Sequence, residues 1–250
     1  MFIDQEKCSG CGICLPYCPA GAIKLVGKKA VVDRELCLEC GNCGRKQVVR
    51  CPKDAFVEEP GLYEGVRAVR KFFSDPATTH KVTRIPGRGT EEVKTNDVTG
   101  RVRRGEIGLA LEMGRPCLGT SMQEVQRVTM ALAAHGVVFE ENNPLTHLMS
   151  DRKTGAISTE YLKEKVVSVI IEFTDRAERL PLLLETIRKV ARELDTVFSL
   201  DLIACFEDDG SLPVLETLNQ LGMKPRPNAK INLGIGRPPA PLYREGGPCR

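Results

Sequence analysis

Residues 8–19 read CSGCGICLPYCP, and residues 37–52 read CLECGNCGRKQVVRCP. Each stretch is a triplet of cysteines at two-residue spacing, followed by a fourth cysteine and a proline. The triplets are Cys8, Cys11, Cys14 and Cys37, Cys40, Cys43; the fourth members are Cys18 and Cys51. The text that follows repeats as well, CPAGAI from Cys18 and CPKDAF from Cys51. Three thiolates at this spacing wrap a short loop around one face of a four-iron cubane, and the fourth iron needs a sulfur from elsewhere. Pro19 has no N–H to satisfy, so it suits the turn that leaves the loop.

Two rival uses of the cysteines fit less well. Interleaved zinc sites would also consume eight thiolates, but zinc ribbons pair cysteines rather than setting them in triplets. A secreted disulfide framework has no need of a repeated triplet closed by Cys-Pro. The remaining cysteines, Cys117, Cys205 and Cys249, are isolated.

On these motifs, residues 1–59 resemble the bacterial dicluster ferredoxins. The resemblance implies two 4Fe-4S clusters with crossed ligation. One would take Cys8, Cys11, Cys14 and Cys51, the other Cys37, Cys40, Cys43 and Cys18. It also implies a pseudo-twofold fold with two short hairpins, in which Ile3 pairs with the AFVEE strand at 55–59. The departure is the spacer before Cys51, seven residues (GRKQVVR) where the first motif has three. Its Arg45, Lys46 and Arg50 read either as cations that raise the potential of the Cys51-ligated cluster, or dock a partner there, or as a solvated insertion.

Composition adds exclusions. The chain has 36 Lys and Arg against 33 Asp and Glu, a formal net charge of +3, which gives no ground for nucleic-acid binding. No run approaches the length of a transmembrane helix. The first cluster-type cysteine leaves no room for a signal peptide, so the expected location is the cytoplasm of an anaerobic cell.

The rest reads as α+β. Residues 60–104 form a helix and a basic linker: Val66, Val69, Phe72 and Phe73 recur at helical spacing, and Arg84, Arg88, Lys94, Arg101, Arg103 and Arg104 offer an anion site, a docking surface or a solvated connector. From 105 to 236 strands and helices alternate. EIGLALEM is a strand, and TSMQEVQRVTMALAAHG a helix capped by Thr120 or Ser121 and ended by Gly136. VVFE and EKVVSVIIEF are strands, the stripe Leu180 to Leu194 is a helix, and TVFSLDLIACFE is a strand. LPVLETLNQLG and AKINLGI close the series. The order βαββαβ plus αβ is that of a ferredoxin-like sandwich, a fold distinct from the iron protein, and of ACT-type regulatory domains. Residues 237–250 form a Pro/Gly-rich tail.

No residue stands out as catalytic. Cys117 between a strand and a helix start is the best candidate nucleophile, but His80, His135 and His147 show no telling spacing to it, and a small buried hydrophobe is the simpler reading. The chain therefore reads as an electron-transfer protein or a subunit of a larger oxidoreductase, with the C-terminal domain for docking. The alternatives are a redox-linked small-molecule sensor with an ACT-like domain, and a reductase acting on an anionic substrate.

Overall fold

A computed structural model describes residues 1–58, 60–85, 100–116 and 118–226. Four short strands build the N-terminal module: β1 (Phe2–Ile3), β2 (Ile23–Val26), β3 (Lys29–Val32) and β4 (Phe56–Val57). β2 and β3 form an antiparallel hairpin, and β1 pairs β4 with Phe2 opposite Val57 and Ile3 opposite Phe56. Its core is small: Met1, Ile3, Ala22, Ile23, Ala30, Val32 and Ala55 with Cys8 and Cys37.

The two halves repeat in detail. Asp4 N donates to Ala55 O at 2.7 Å, and Asp33 N donates to Ala22 O at 2.7 Å. Cys8 N then donates to Asp4 O, and Cys37 N to Asp33 O, each at 3.0 Å. The Asp4 carboxylate accepts from Glu6 N and Lys7 N, and that of Asp33 from Glu35 N and Leu36 N. Each aspartate thus closes an Asx-type turn that delivers the chain to the first cysteine of a triplet.

Helix α1 (Ala68–Ser74) follows. It is shorter than the hydrophobic spacing predicts, because Gly61 and Gly65 adopt φ of +77° and +68° and hold the preceding residues in turns. Val69 and Phe73 join the core of the C-terminal domain, while Arg67, Arg70 and Lys71 reach back to the N-terminal module.

The C-terminal domain is built on β5 (Glu106–Met113). β6 (Thr120–Ser121) leads into α2 (Met122–Ala133), where Ser121 Oγ accepts from Glu124 N at 3.2 Å as the N-cap. β7 (Met149–Asp151) and β8 (Ala156–Ile157) form a hairpin, and β9 (Lys165–Val166) pairs β6. β10 (Val169–Arg176), α3 (Leu180–Ala191), β11 (Phe198–Ala204) and α4 (Val214–Gln220) complete the described residues. Pro181 lies in the first turn of α3, where its missing N–H costs nothing. The sheet order is β10-β5-β11, both pairs antiparallel, and Phe139 makes an isolated antiparallel bridge to Phe173 on the far edge of β10. VVFE therefore contributes a single bridge rather than a strand. AKINLGI lies outside the described residues.

Alternation along β5 sends Ile107, Leu109, Leu111 and Met113 into the core beneath α2 and α3. The opposite face holds Gly108, Ala110 and Glu112, with Ile170 and Glu172 alongside on β10 and Asp201 on β11. Glu172 Oε2 accepts from Asn143 Nδ2 at 2.5 Å. No helix among the described residues is long and apolar enough to cross a membrane.

Candidate metal centre

Two loops carry the triplets, and the fold brings each beside the fourth cysteine of the other motif. One pocket is lined by Cys8, Cys11, Cys14 and Cys51, with Ile3, Ile13, Ala30, Val49, Ala55 and Phe56 as its apolar walls. Cys51 arrives there because β4 pairs with β1 and carries the preceding turn across the module. Cys18 lies instead near Cys40 and Cys43, close enough for its charge to act on both thiols.

Backbone amides aim at the sulfurs. Gly10 N and Ala30 N donate to Cys8 Sγ at 3.4 and 3.5 Å. Ala22 N donates to Cys18 Sγ at 3.2 Å, and Ala55 N to Cys51 Sγ at 3.4 Å. Donors of this kind favour the charged thiolate. Burial works the other way. It pushes Cys43 up to about 12, with Cys40, Cys37 and Cys18 adding to the rise. Burial likewise raises Cys14, helped by Cys11, Cys8 and Cys51.

So crowded a set of thiols fits a metal group that keeps all of them deprotonated. All eight are free of disulfides. Among the described residues, no three Cys, His, Asp or Glu side chains converge on a point suited to a single ion.

The spacer before Cys51 has two ends with different fates. Val49 is buried in the wall of the Cys8–Cys51 pocket. Arg45 Nη1 turns to the other loop, donating to Cys40 O at 3.1 Å and Asn42 Oδ1 at 2.9 Å, while its second amino group pairs with Asp75. Its cation therefore belongs to the second triplet rather than to Cys51. Lys46 stays exposed with Asp54.

Cations gather under the second triplet. Glu39, left-handed at φ 56° and 1% exposed, lies between Cys37 and Cys40. It accepts from the Met1 ammonium at 2.6 Å, Arg34 at 3.0 Å and Arg67 at 2.8 Å. Burial opposes its charge, but the hydrogen bonds from Met1 and Arg67 prevail and hold the carboxyl below its ordinary value. Arg70 Nη1 donates to Arg34 O, Glu35 O and Cys37 O, at 3.2, 3.0 and 3.0 Å. Lys71 lies between Glu58 at 2.6 Å and Asp75 at 2.9 Å. None of these α1 residues was singled out by sequence. The signal was the uneven helix, basic on one side and apolar on the other.

The 4Fe-4S binding domain family matches residues 1–24. A ferredoxin-like protein from the vnf region of Azotobacter chroococcum is 39% identical over 59 residues, 23% of this chain and 91% of that protein. The chain belongs to the 4Fe-4S ferredoxin family. Its ferredoxin segment is also similar to an uncharacterized ferredoxin of Methanocaldococcus jannaschii, 36% identical over 61 residues, 23% of this chain and 74% of that protein. Pyruvate synthase subunit PorD of Methanothermobacter marburgensis is 35% identical over 52 residues, 21% of this chain and 60% of that protein. No solved structure matches the chain. The ferredoxin segment is an iron–sulfur electron-transfer unit.

The other candidates of the sequence fare differently. Arg101 pairs with Glu140 at 2.7 Å and Arg104 with Asp208 at 2.5 Å, so both cations have internal partners. Arg88, Lys94, Cys117 and Cys249 lie outside the described residues. Cys205 is buried in the core, with its Sγ 3.6 Å from Val102 O. The His80 and His147 rings meet at 5.6 Å between centroids, tilted by 45°, and His135 ends the turn after α2.

Proposed function

We propose that this ferredoxin carries two 4Fe-4S clusters and relays single electrons as a cytoplasmic carrier or subunit of a larger oxidoreductase. Cys8, Cys11, Cys14 and Cys51 would hold one cluster, and Cys37, Cys40, Cys43 and Cys18 the other. The observation that carries this reading is the pocket that joins Cys51 to Cys14 and the rest of the first triplet across 36 intervening residues. A bound cluster supplies a one-electron couple that no side chain of the chain could supply. The residues do the rest. The amides of Gly10, Ala22, Ala30 and Ala55 stabilise the thiolates, and Val49, Ile3 and Phe56 keep water from one pocket.

In this reading residues 1–59 hold the clusters, 60–104 are a connector, 105–236 a docking domain, and 237–250 a tail. The sheet order β10-β5-β11 with the Phe139 bridge supports a split βαββαβ sandwich for the docking domain. A similarity to a pyruvate synthase subunit supports an oxidoreductase as partner. Anaerobic purification from the native host tests both parts. About eight irons and eight sulfides per chain, in a stable larger complex, are expected. Zinc without acid-labile sulfide would overturn the cluster reading, and a chain that always elutes alone would remove the docking role.

A further inference from the structure

We propose that Arg70 of α1 sets the redox potential of the cluster at the second triplet, and that Glu164 of the C-terminal domain tunes it through Arg70. The inference rests on the two-cluster reading. Cys8 and Cys37 hold equivalent places, each reached by its amide bond to Asp4 or Asp33. Each also has a cation on its carbonyl. Lys29 Nζ, from the module's own hairpin, donates to Cys8 O. Arg70 Nη1 donates to Cys37 O at 3.0 Å, and Arg70 comes from outside the module, on a helix whose Val69 and Phe73 belong to the C-terminal core.

Arg70 bridges the cluster loop and the C-terminal domain. Arg70 is 3% exposed, with Nη1 donating to three carbonyls of the cluster loop and Nε to Glu164 Oε2 at 2.5 Å. Glu164 directly precedes β9, the strand nearest α1, and its backbone carbonyl accepts from Met122 N at the start of α2. The positive end of this pair faces the cysteines, and the negative end lies in the docking domain. Buried charges are poorly screened, so they act on a neighbouring redox centre. Adding an electron adds negative charge to a centre around buried Cys37, which burial alone disfavours. A cation on the loop offsets that cost and raises the potential, and the carboxylate behind it moderates the effect. Glu39 does not undo the argument, because Met1, Arg34 and Arg67 already neutralise it.

Anaerobic redox titration of the full chain, followed by electron paramagnetic resonance, tests this. A Cys11→Ser variant, at the exposed cysteine of the first set, alters one signal and so assigns the two. Arg70→Met is expected to cut the reduced-to-oxidised ratio of the second-triplet cluster at fixed potential by about tenfold, which is about 59 mV for a one-electron couple. Glu164→Gln is expected to shift the same cluster the opposite way, and Arg70→Lys to restore most of the wild-type value. The first cluster should stay put in all three. A merely structural role for the pair would give Arg70→Met and Glu164→Gln the same sign, and that result, or no shift in either, overturns the proposal. If Arg70→Met loses the second cluster outright, Glu164→Gln and Arg70→Lys still decide. A wild-type chain with a single redox centre would sink the two-cluster reading itself, a result distinct from two centres with unmoved potentials.

Discussion

Ser74 Oγ accepts a hydrogen bond from Val167 N at 2.9 Å, fastening the last residue of α1 to the bend between β9 and β10. One residue earlier, Phe73 O accepts from Ser168 N at 3.4 Å. The helix that holds Cys37 through Arg70 is therefore also stitched into the C-terminal domain. This junction explains why EKVVSVIIEF, whose β-branched apolar run predicts one strand, breaks in two. The amides of Val167 and Ser168 are taken by α1 and cannot serve a sheet ladder.

The junction should be sensitive to its apolar anchor. Phe73 is 2% exposed. Phe73→Ala is expected to cost about 3–5 kcal/mol, the range for emptying a buried aromatic site. Anaerobic urea unfolding followed by far-ultraviolet circular dichroism measures it. A loss under about 1 kcal/mol would mean the helix contributes little to the C-terminal core.

Two glycines with similar backbones should behave differently. Gly10 has φ +70°, and an added Cβ would lie 1.9 Å from Lys28 O. Gly21 has φ +60° with nothing within 4 Å of an added Cβ. Gly21→Ala should cost only the left-handed strain, about 1–2 kcal/mol, and keep its iron. Gly10→Ala must push the β2-β3 hairpin off the Cys8 loop, so iron per chain should fall toward half. Equal iron contents in the two variants would contradict this.

Much of the site was legible because its chemistry imposes spacing. The doubled triplet and the Cys-Pro ends mark the cysteine loops of a 4Fe-4S ferredoxin. The repeat of Asp4 before Cys8 and Asp33 before Cys37 was equally visible and carries the turns, yet it needs hydrogen-bond geometry to be recognised as structural. β5, α2, α3 and β11 follow the hydrophobic period closely and α2 its Ser121 cap, whereas Asp175, which reads as a start for α3, ends β10 instead. The β7-β8 hairpin was missed, since MSDRKTGAI has no apolar alternation. It is held instead by contact with α2, where Thr129 Oγ1 donates to Gly155 O at 2.6 Å. The charged side of α1 was illegible for a related reason. Arg67, Arg70 and Lys71 look like solvated residues until their carboxylate and carbonyl partners, far away in sequence, are known.

Stability should carry a mark of His80. Burial and the neighbouring His147 hold its imidazole below the ordinary value of 6.5. Its Nδ1 accepts from Thr83 N at 3.2 Å, a bond that a proton on Nδ1 would abolish. The unfolded chain binds that proton more readily than the folded one. The stabilisation is therefore full above 6.5 and is lost as pH falls through the lower folded-state value. His80→Asn keeps an acceptor but cannot titrate. The stability difference between wild type and variant should change between about pH 7.5 and about pH 5.5, moving against the wild type in acid. A constant difference across that window would show that His80 does not titrate differently on folding.

The central claim is the exchange of fourth cysteines between the two motifs. Cys18 Sγ accepts from Ala22 N, and Cys51 Sγ from Ala55 N, so the two are held in the same way in their own halves. Each nevertheless faces the other half's triplet. Site-resolved paramagnetic spectroscopy of Cys51→Ser and Cys18→Ser, each purified without oxygen, tests this most directly. Cys51→Ser is predicted to convert the cluster at Cys8, Cys11 and Cys14 toward a three-iron centre and to leave the other intact, with Cys18→Ser doing the reverse. Damage in each variant to the cluster beside the mutated residue in sequence would contradict the account.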